Sequence, residues 1–237
     1  MEREPPGGHV LRGARLLLVE ISMTDQSASA LGHASALRPA HARQHIARVL
    51  LIWFAAAVGI GSLGVLPRAP ALAPASVLGL TLLALVLYKA SARVRASAEA
   101  FDLRWLVLPH TVRAPIGAIF LWEYMQGRLP GVFALRAGYG DIAAGVLALL
   151  AVRAARLRSR REIRLLLVWN ALAALDILIV LATAAFLLVV RGDPLMTQAL
   201  GRMPFPLLPL FVVPLVIIAH LLVFARARGA NLGGAAV

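Results

Sequence analysis

The chain has 237 residues and a formal net charge of +13, with 60% hydrophobic and only 15% charged residues. Soluble domains are roughly 45–50% apolar and about 25% charged, so this composition, with a mean hydropathy of +0.82, excludes an ordinary water-soluble globule. Cysteine is absent, which excludes disulfides, thiolate metal sites and cysteine nucleophiles.

The N-terminal segment is polar, rich in Gly, Ala and Ser, and carries mixed charge, so residues 1–37 are predicted to be a disordered basic arm. Its apolar run at 16–19 is too short for the hydrophobic region of a signal peptide. Met23 offers a second start of translation, and residues 1–22 are then a mis-assigned extension.

Six apolar runs follow, and each has close to the 20 or so residues that a membrane-spanning helix needs. We predict an all-α, polytopic membrane protein with one six-helix transmembrane domain at 38–228 and a flexible tail at 229–237. Arg136 and Asp141 interrupt the fourth run, which is the weakest of the six. The predicted helices cover residues 47–66, 71–89, 105–126, 132–152, 164–190 and 205–225.

The basic residues predict the orientation of these helices. Of the 24, 23 are arginine, a bias typical of a GC-rich bacterial genome. In the six-helix topology, 18 of them lie on the side that holds both termini and five on the other, so the positive-inside rule places both termini in the cytoplasm. The expected location is a bacterial inner membrane. Because the arginines flank apolar runs, their expected partner is anionic lipid and not nucleic acid.

The connection at 91–104 between the second and third predicted helices has two interpretations. Val94, Ala98 and Phe101 fall near one helical face, which favours a short helix lying in the membrane interface. A solvated loop is the alternative.

Two layers of polar residues lie within the predicted helices. His110, Asn170 and His220 lie roughly 8–9 Å from the cytoplasmic ends at the helical rise of about 1.5 Å per residue. A second layer lies deeper, at roughly 14–18 Å by the same rise. The deeper layer contains Arg113, Asp141 and Asp176.

Arg113 keeps its charge in a protein, and at a bilayer centre it costs about 2.5–3.5 kcal/mol even on the lenient insertion scale. We therefore predict that Arg113 pairs with Asp141, Asp176 or both. One interpretation is that the pair only locks helices together, and the other is that it lines a path for a solute or a proton. Two aspartates against one arginine leave one acid free to hold a proton or a cation, as proton-coupled transport requires.

His110 and His220 share a depth on different helices, so they are candidates for the axial ligands of a haem iron or for a metal site. The alternative is a structural or proton-relay role, with a hydrogen bond to Asn170. Glu123, between Trp122 and Tyr124, is predicted to be a hydrated residue of the aromatic belt, and a gate or outer site is the alternative.

Several chemistries lack their sequence patterns. There is no GxxxxGK[ST] phosphate loop, no HExxH and no GxSxG. The predicted function is transport of a small solute, an ion or a proton through the polar interior. The alternatives are a haem- or metal-binding redox component and a non-catalytic assembly or scaffold protein. Six helices are few for a secondary transporter, so a homo-oligomer is an open alternative.

Overall fold

The computed structural model describes residues 44, 46–99, 101–157 and 159–233. The predicted arm at 1–37, the alternative start at Met23 and the end of the predicted tail lie outside these ranges. All regular secondary structure in the described ranges is helical, which confirms the predicted all-α class. The contacts discussed below lie within the unit Arg48–Val237.

Four helical segments of the described chain are long and apolar enough to cross a membrane. Each corresponds to one predicted span: the second, fourth, fifth and sixth. Together with the composition, they indicate a membrane protein. They are Leu72–Ala90, Gly131–Ala154, Arg160–Val190 and Leu208–Gly229.

The first and third predicted spans are different. The helix at Ile46–Ser62 (α1) is shorter than the other four segments, and a four-residue helix, Val65–Arg68 (α2), follows it. The third predicted span is divided into Leu103–Val107 (α5), a 3₁₀ turn at Leu108–Val112 and Arg113–Met125 (α6). The division coincides with Pro109, which has no N–H to donate to the preceding helical turn. A count of six spans stays a prediction.

The second span is α3 (Leu72–Ala90), and the connection after it contains a short helix, α4 (Ala92–Glu99), and not only a loop. Asp102 caps α5, because its carboxylate accepts the backbone N–H of Arg104 at 2.9 Å. The side chain of Arg104 also binds this carboxylate and holds the pKa of Asp102 below its usual value.

The fourth predicted helix is α7 (Gly131–Ala154). The fifth is α8 (Arg160–Ala185), which begins four residues before the predicted start. Ser159 and Glu162 have the spacing of a capping box, and the Ser159 hydroxyl accepts the N–H of Glu162. Arg160 and Arg161 precede the predicted helix start at 164, but they lie in the first turn of α8.

The last part of the chain contains α9 (Pro194–Ala199) and α10 (Val213–Gly233). A π-helical turn at Phe186–Val190 ends the fifth span, and another at Leu208–Val212 begins the sixth. Because α10 continues through Gly233, it passes the predicted helix end at 225 and includes part of the predicted tail. A basic residue of this helix, Arg226, donates to the carbonyl of Phe101 near the start of α5.

The exterior of the unit is apolar and its interior holds charges, which is the reverse of a water-soluble protein. Large side chains such as Ile52, Leu82 and Leu150 are exposed, whereas Arg113 and Glu123 are buried. Such a surface is compatible with the hydrocarbon core of a membrane, and the buried charges need partners inside the protein.

α6 and α7 approach closely through small residues. A Cβ atom on Gly117 of α6 would collide with the carbonyl oxygen of Gly138 on α7, and one on Gly145 would lie 2.5 Å from the backbone nitrogen of Ala114. Small residues allow this spacing between membrane helices. It places the start of α6, including Arg113, directly against α7.

Candidate functional site

Arg113 lies at the centre of the polar interior. It is the first residue of α6 and follows the 3₁₀ turn directly. Only 2% of its surface is exposed. A guanidinium with so little access to solvent or lipid must be neutralised and hydrogen-bonded by the protein itself.

The guanidinium of Arg113 binds three groups on two other helices. Its Nε donates to Oδ1 of Asp141 on α7 at 2.6 Å, and its Nη1 donates to the carbonyl of Ala173 on α8 at 3.1 Å. Its Nη2 donates to Oδ2 of Asp176, also on α8. The prediction that Arg113 pairs with Asp141, Asp176 or both is confirmed, since both carboxylates bind it. We call Arg113, Asp141 and Asp176 the aspartate cluster.

The two aspartates differ in environment. The side chain of Asp141 is 7% exposed and that of Asp176 is 23% exposed. The close approach of Asp176 depends on Gly140, because a Cβ atom there would collide with the Asp176 carboxylate. The cluster therefore joins an enclosed carboxylate on α7 and a more accessible one on α8 through one arginine.

The charges of the aspartate cluster do not balance. With both carboxylates ionised, one arginine leaves a net charge of −1 among apolar helices. Burial of an uncompensated charge costs several kcal/mol, so a proton or a cation bound to one carboxylate stabilises the arrangement. The cluster can thus exist in two charge states that differ by one bound cation.

A cavity of about 110 Å³ adjoins the aspartate cluster. Arg113 and Asp141 contribute its polar groups, and every other residue that lines it is apolar. The apolar wall includes Phe120 on α6, Phe133 on α7 and Val77 on α3. The cavity therefore offers one charged end and an otherwise apolar wall.

The structure also brings together the three predicted residues of the other polar layer. The rings of His110 and His220 lie with their centroids 4.3 Å apart. Nδ1 of His220 is 2.8 Å from Oδ1 of Asn170, and the Asn170 amide donates to the His220 carbonyl at 3.1 Å. The predicted histidine–asparagine hydrogen bond is thus made by His220. Within the described residues, neither ring nitrogen of His110 has a hydrogen-bond partner.

These two histidines do not fit the axial positions of a haem. Metal–nitrogen bonds of about 2 Å on opposite sides of an iron place the two ring centres about 6 Å apart, with the macrocycle between them. The two rings instead contact each other directly, tilted by 46°, and Trp169 packs beside both. The alternative in which His110 and His220 bind a haem between them does not fit this geometry, because the facing sides of the two rings leave no space for the macrocycle.

A metal site is also not assembled from carboxylates here. In the described part of the chain, no three His, Asp or Glu side chains are grouped so that they could hold a metal ion. Arg113 occupies the position between Asp141 and Asp176. A cationic side chain therefore stands where a bridging cation would bind.

Glu123 is not the hydrated interface residue that the sequence predicted. It is 7% exposed and accepts two hydrogen bonds from Arg128, at 2.9 and 2.7 Å. Arg202 lies 3.4 Å from the same carboxylate and donates to the carbonyl of Arg128. We call Glu123, Arg128 and Arg202 the glutamate cluster. It has one carboxylate and two arginines, so it carries a net charge of +1.

Local backbone structure explains why the sequence interpretation missed this pairing. Gly127 follows α6 with a φ of 67°, and the N–H groups of Gly127 and Arg128 bond to the carbonyls of Tyr124 and Glu123. This is a Schellman motif, which reverses the chain and returns Arg128 to Glu123. The glycine directly after an apolar helix was the available signal.

The comparisons with known proteins give one match. The family described as Domain of unknown function (DUF8737) matches residues 70–228. That range contains the aspartate cluster, the two histidines and the glutamate cluster. No curated protein and no solved structure matches the chain.

Proposed function

The chain belongs to the DUF8737 family, and we propose that it carries a small solute, an ion or a proton across a membrane through the aspartate cluster. One observation carries this proposal: a buried arginine, held by two carboxylates from two other helices, lines a cavity inside an apolar helical unit. Charged groups inside a membrane protein are costly and mark transport paths and proton relays.

The charge imbalance supplies a mechanism for coupling. When Asp141 takes up a proton, Arg113 loses one of its two anionic partners and keeps Asp176. Arg113 can then bind another anion or change its position. Release of the proton restores the original pairing. A group that alternates between two partners as it binds and releases a proton is what coupled transport requires.

The proposal includes a location and an orientation. The arginine distribution supports a bacterial inner membrane with both termini in the cytoplasm. It also supports anionic lipid as the partner of the cytoplasmic face. A homo-oligomer is part of the proposal as an open alternative, since the described unit contains few spans for a transporter.

The function is tested by proton flux in proteoliposomes loaded with a pH-sensitive dye. A panel of small solutes is added outside, and the dye reports coupled proton movement. With the wild-type protein, we expect at least one solute to acidify the vesicle interior, as the dye reports. With Asp141→Asn or Asp176→Asn, we expect no solute to do so. Leu83→Ala, an exposed position on α3, is the matched control and should behave as wild type.

Two outcomes would contradict the proposal. Absence of flux across the panel, with folded protein in the vesicles, would leave the aspartate cluster as a packing device and favour the assembly-protein alternative. Equal flux in the wild type and both asparagine variants would remove the carboxylates from the path.

The orientation is tested separately by single-cysteine labelling. The chain contains no cysteine, so each introduced thiol reports on one position. Ser159→Cys should react from the cytoplasmic side, and Thr197→Cys and Gly127→Cys from the opposite side. Labelling of all three from one side would overturn the proposed topology.

A further inference from the structure

We infer that the transported solute is a small organic anion with an apolar body, such as a short-chain carboxylate. Its anionic group binds Arg113 and its body occupies the adjoining cavity. This inference rests on the proposed function, since it names the solute class of the same site.

The lining of the cavity sets the chemistry of the ligand. Its polar groups come from Arg113 and Asp141, and its other lining residues are Ala, Val, Leu, Ile, Met, Phe and Pro. A polar solute such as a sugar would lose its hydrogen bonds to water along this wall without replacement, which is costly. A molecule with one charged end and an apolar remainder loses little.

The volume limits the size of the ligand. A cavity of about 150 Å³ lined by apolar side chains admits benzene, and this one measures about 110 Å³. By that comparison the apolar body has room for about four carbon atoms. Longer chains exceed the volume bounded by wall residues such as Phe133 and Val77.

Arg113 supplies the recognition of the anionic group. An arginine has five N–H donors, and three of them serve Asp141, Ala173 and Asp176. Counted over the described residues, one N–H group on Nη1 and one on Nη2 of Arg113 have no hydrogen-bond acceptor. A carboxylate accepts two parallel bonds from a guanidinium, an arrangement stronger than bonds between neutral groups.

Asp141 explains how a proton is coupled to this anion. Asp141 and Arg113 line the same cavity. An ionised Asp141 therefore repels an incoming carboxylate and competes with it for the guanidinium of Arg113. A protonated Asp141 does neither. One proton on Asp141 and one carboxylate on Arg113 then enter together, and the pair carries no net charge.

Three other titratable groups near Arg113 can contribute to the pH dependence of anion binding. Asp176 faces Arg113 from α8, His110 lies on the 3₁₀ turn before α6, and His220 lies on α10. Protonation of any of them would also favour an anion. The contribution of Asp141 is therefore isolated by its own variant and not by pH alone.

The test is ligand binding to the purified protein in detergent. The shift in the unfolding temperature of the protein reports the binding. The probes are straight-chain carboxylates from acetate to octanoate, with alcohols, amines and sulfonates of matched length. We expect the carboxylate with an apolar body of about four carbons to bind most tightly. It should bind about tenfold or more tightly than the matched alcohol, because it gains charge-assisted hydrogen bonds. The amine should not bind.

Acidification provides the second measurement. Sulfonates stay ionised across the accessible pH range, so their binding reports only on the protein. We expect sulfonate binding to the wild type to strengthen as the pH falls. Asp141→Asn should bind tightly at alkaline pH and lose most of this dependence.

The third measurement uses the cavity wall and does not require a change at Arg113, whose variants can fail to fold. Phe133→Leu enlarges the cavity and should move the best chain length upward. Leu83→Ala lies outside the cavity lining and should leave the length profile unchanged. A shift with Phe133→Leu alone places the apolar body in this cavity.

The inference is overturned if alcohols bind as tightly as carboxylates, or if the length profile is the same in Phe133→Leu and the wild type. Its failure differs from failure of the proposed function. Proton flux with another solute, without carboxylate binding, would refute the solute class and keep the function. Carboxylate binding without any flux would keep the site and refute transport.

Discussion

The aspartate cluster and the glutamate cluster solve the same problem, a charge inside an apolar protein, in opposite ways. The aspartate cluster joins residues 28 and 63 positions apart and has more acids than bases. The glutamate cluster pairs Glu123 with Arg128 across five positions, with Arg202 as the second base. The arginine of the first is 3% exposed at its side chain, and both arginines of the second are 38% exposed.

The difference separates a structural ion pair from a candidate working site. A pair formed within one turn of chain, with access to its surroundings, can form early and at little cost, and its energetic effect is small. A pair assembled from three helices forms only when those helices dock, and its desolvation is nearly complete. The excess carboxylate of the aspartate cluster is the feature that structural stability does not require.

The largest expected effect is that of removing Arg113. Arg113→Ala leaves the buried carboxylate of Asp141 and the partly buried carboxylate of Asp176 without their shared cation, and breaking a buried ion pair costs about 3–5 kcal/mol of folding free energy. Arg128→Ala removes a partly exposed partner and should cost about 1 kcal/mol or less. Equilibrium unfolding of both purified variants in the same detergent measures the contrast. Similar losses would show that the two clusters are energetically equivalent.

The next largest effect concerns the backbone that admits Asp176. Gly140→Ala introduces a methyl group at the position of the Asp176 carboxylate, so it should cost about 1–3 kcal/mol by overpacking and separate Asp176 from Arg113. Gly79→Ala, also in a helix interior but with open space around it, is the control. It should stabilise by about 0.5–1 kcal/mol, since alanine favours helix.

A smaller effect is expected at the turn that forms the glutamate cluster. Gly127 has a φ of 67°, which an alanine adopts with strain of about 1–2 kcal/mol. Gly127→Ala should lose that much stability while the pH dependence of transport stays intact. Proteoliposome flux together with unfolding checks both parts. Loss of coupled flux in this variant would make the glutamate cluster part of the transport path.

The smallest effects compare the carboxylates themselves. Glu123→Gln leaves Arg128 and Arg202 without an anion and should cost about 1 kcal/mol. Asp141→Asn leaves Arg113 balanced by Asp176 and should change stability by less than about 1 kcal/mol, although Asp141 is equally buried. Equilibrium unfolding of the two variants side by side measures which of them loses more folding free energy. A much larger loss for Asp141→Asn would mean that both aspartates are needed as anions.

Individual residues show which contacts could be predicted from the sequence and which could not. The expectation that Arg113 meets aspartates followed from the cost of an unpaired charge in hydrocarbon, and it is confirmed. Equal depth along helices predicted a histidine–asparagine layer, but depth does not give ring orientation, so it left open a haem alternative that the contact between the two rings does not fit. Glu123 was misread because its partners come from a reversed turn and a distant loop.

Helix boundaries show a similar division. Local chemistry accounts for the start of α8 at the Ser159–Glu162 capping box. The π-helical turn at Phe186–Val190 carries no comparable local signature, whereas the turn at Leu208–Val212 contains Pro209 near its start. The division of the third span coincides with Pro109, yet proline is tolerated in membrane helices when neighbouring groups satisfy the freed carbonyls. The sequence alone did not show that the helix would break there.

The sequence by itself determined that the chain is helical and suited to a membrane, because backbone polar groups in hydrocarbon must be satisfied within each segment. It also determined that buried charges would seek partners. Tertiary structure alone decided which charges meet, which carboxylate stays enclosed and where the cavity lies. Those outcomes depend on how α6, α7 and α8 rotate and approach one another, and that geometry follows from the packing of many small side chains acting together.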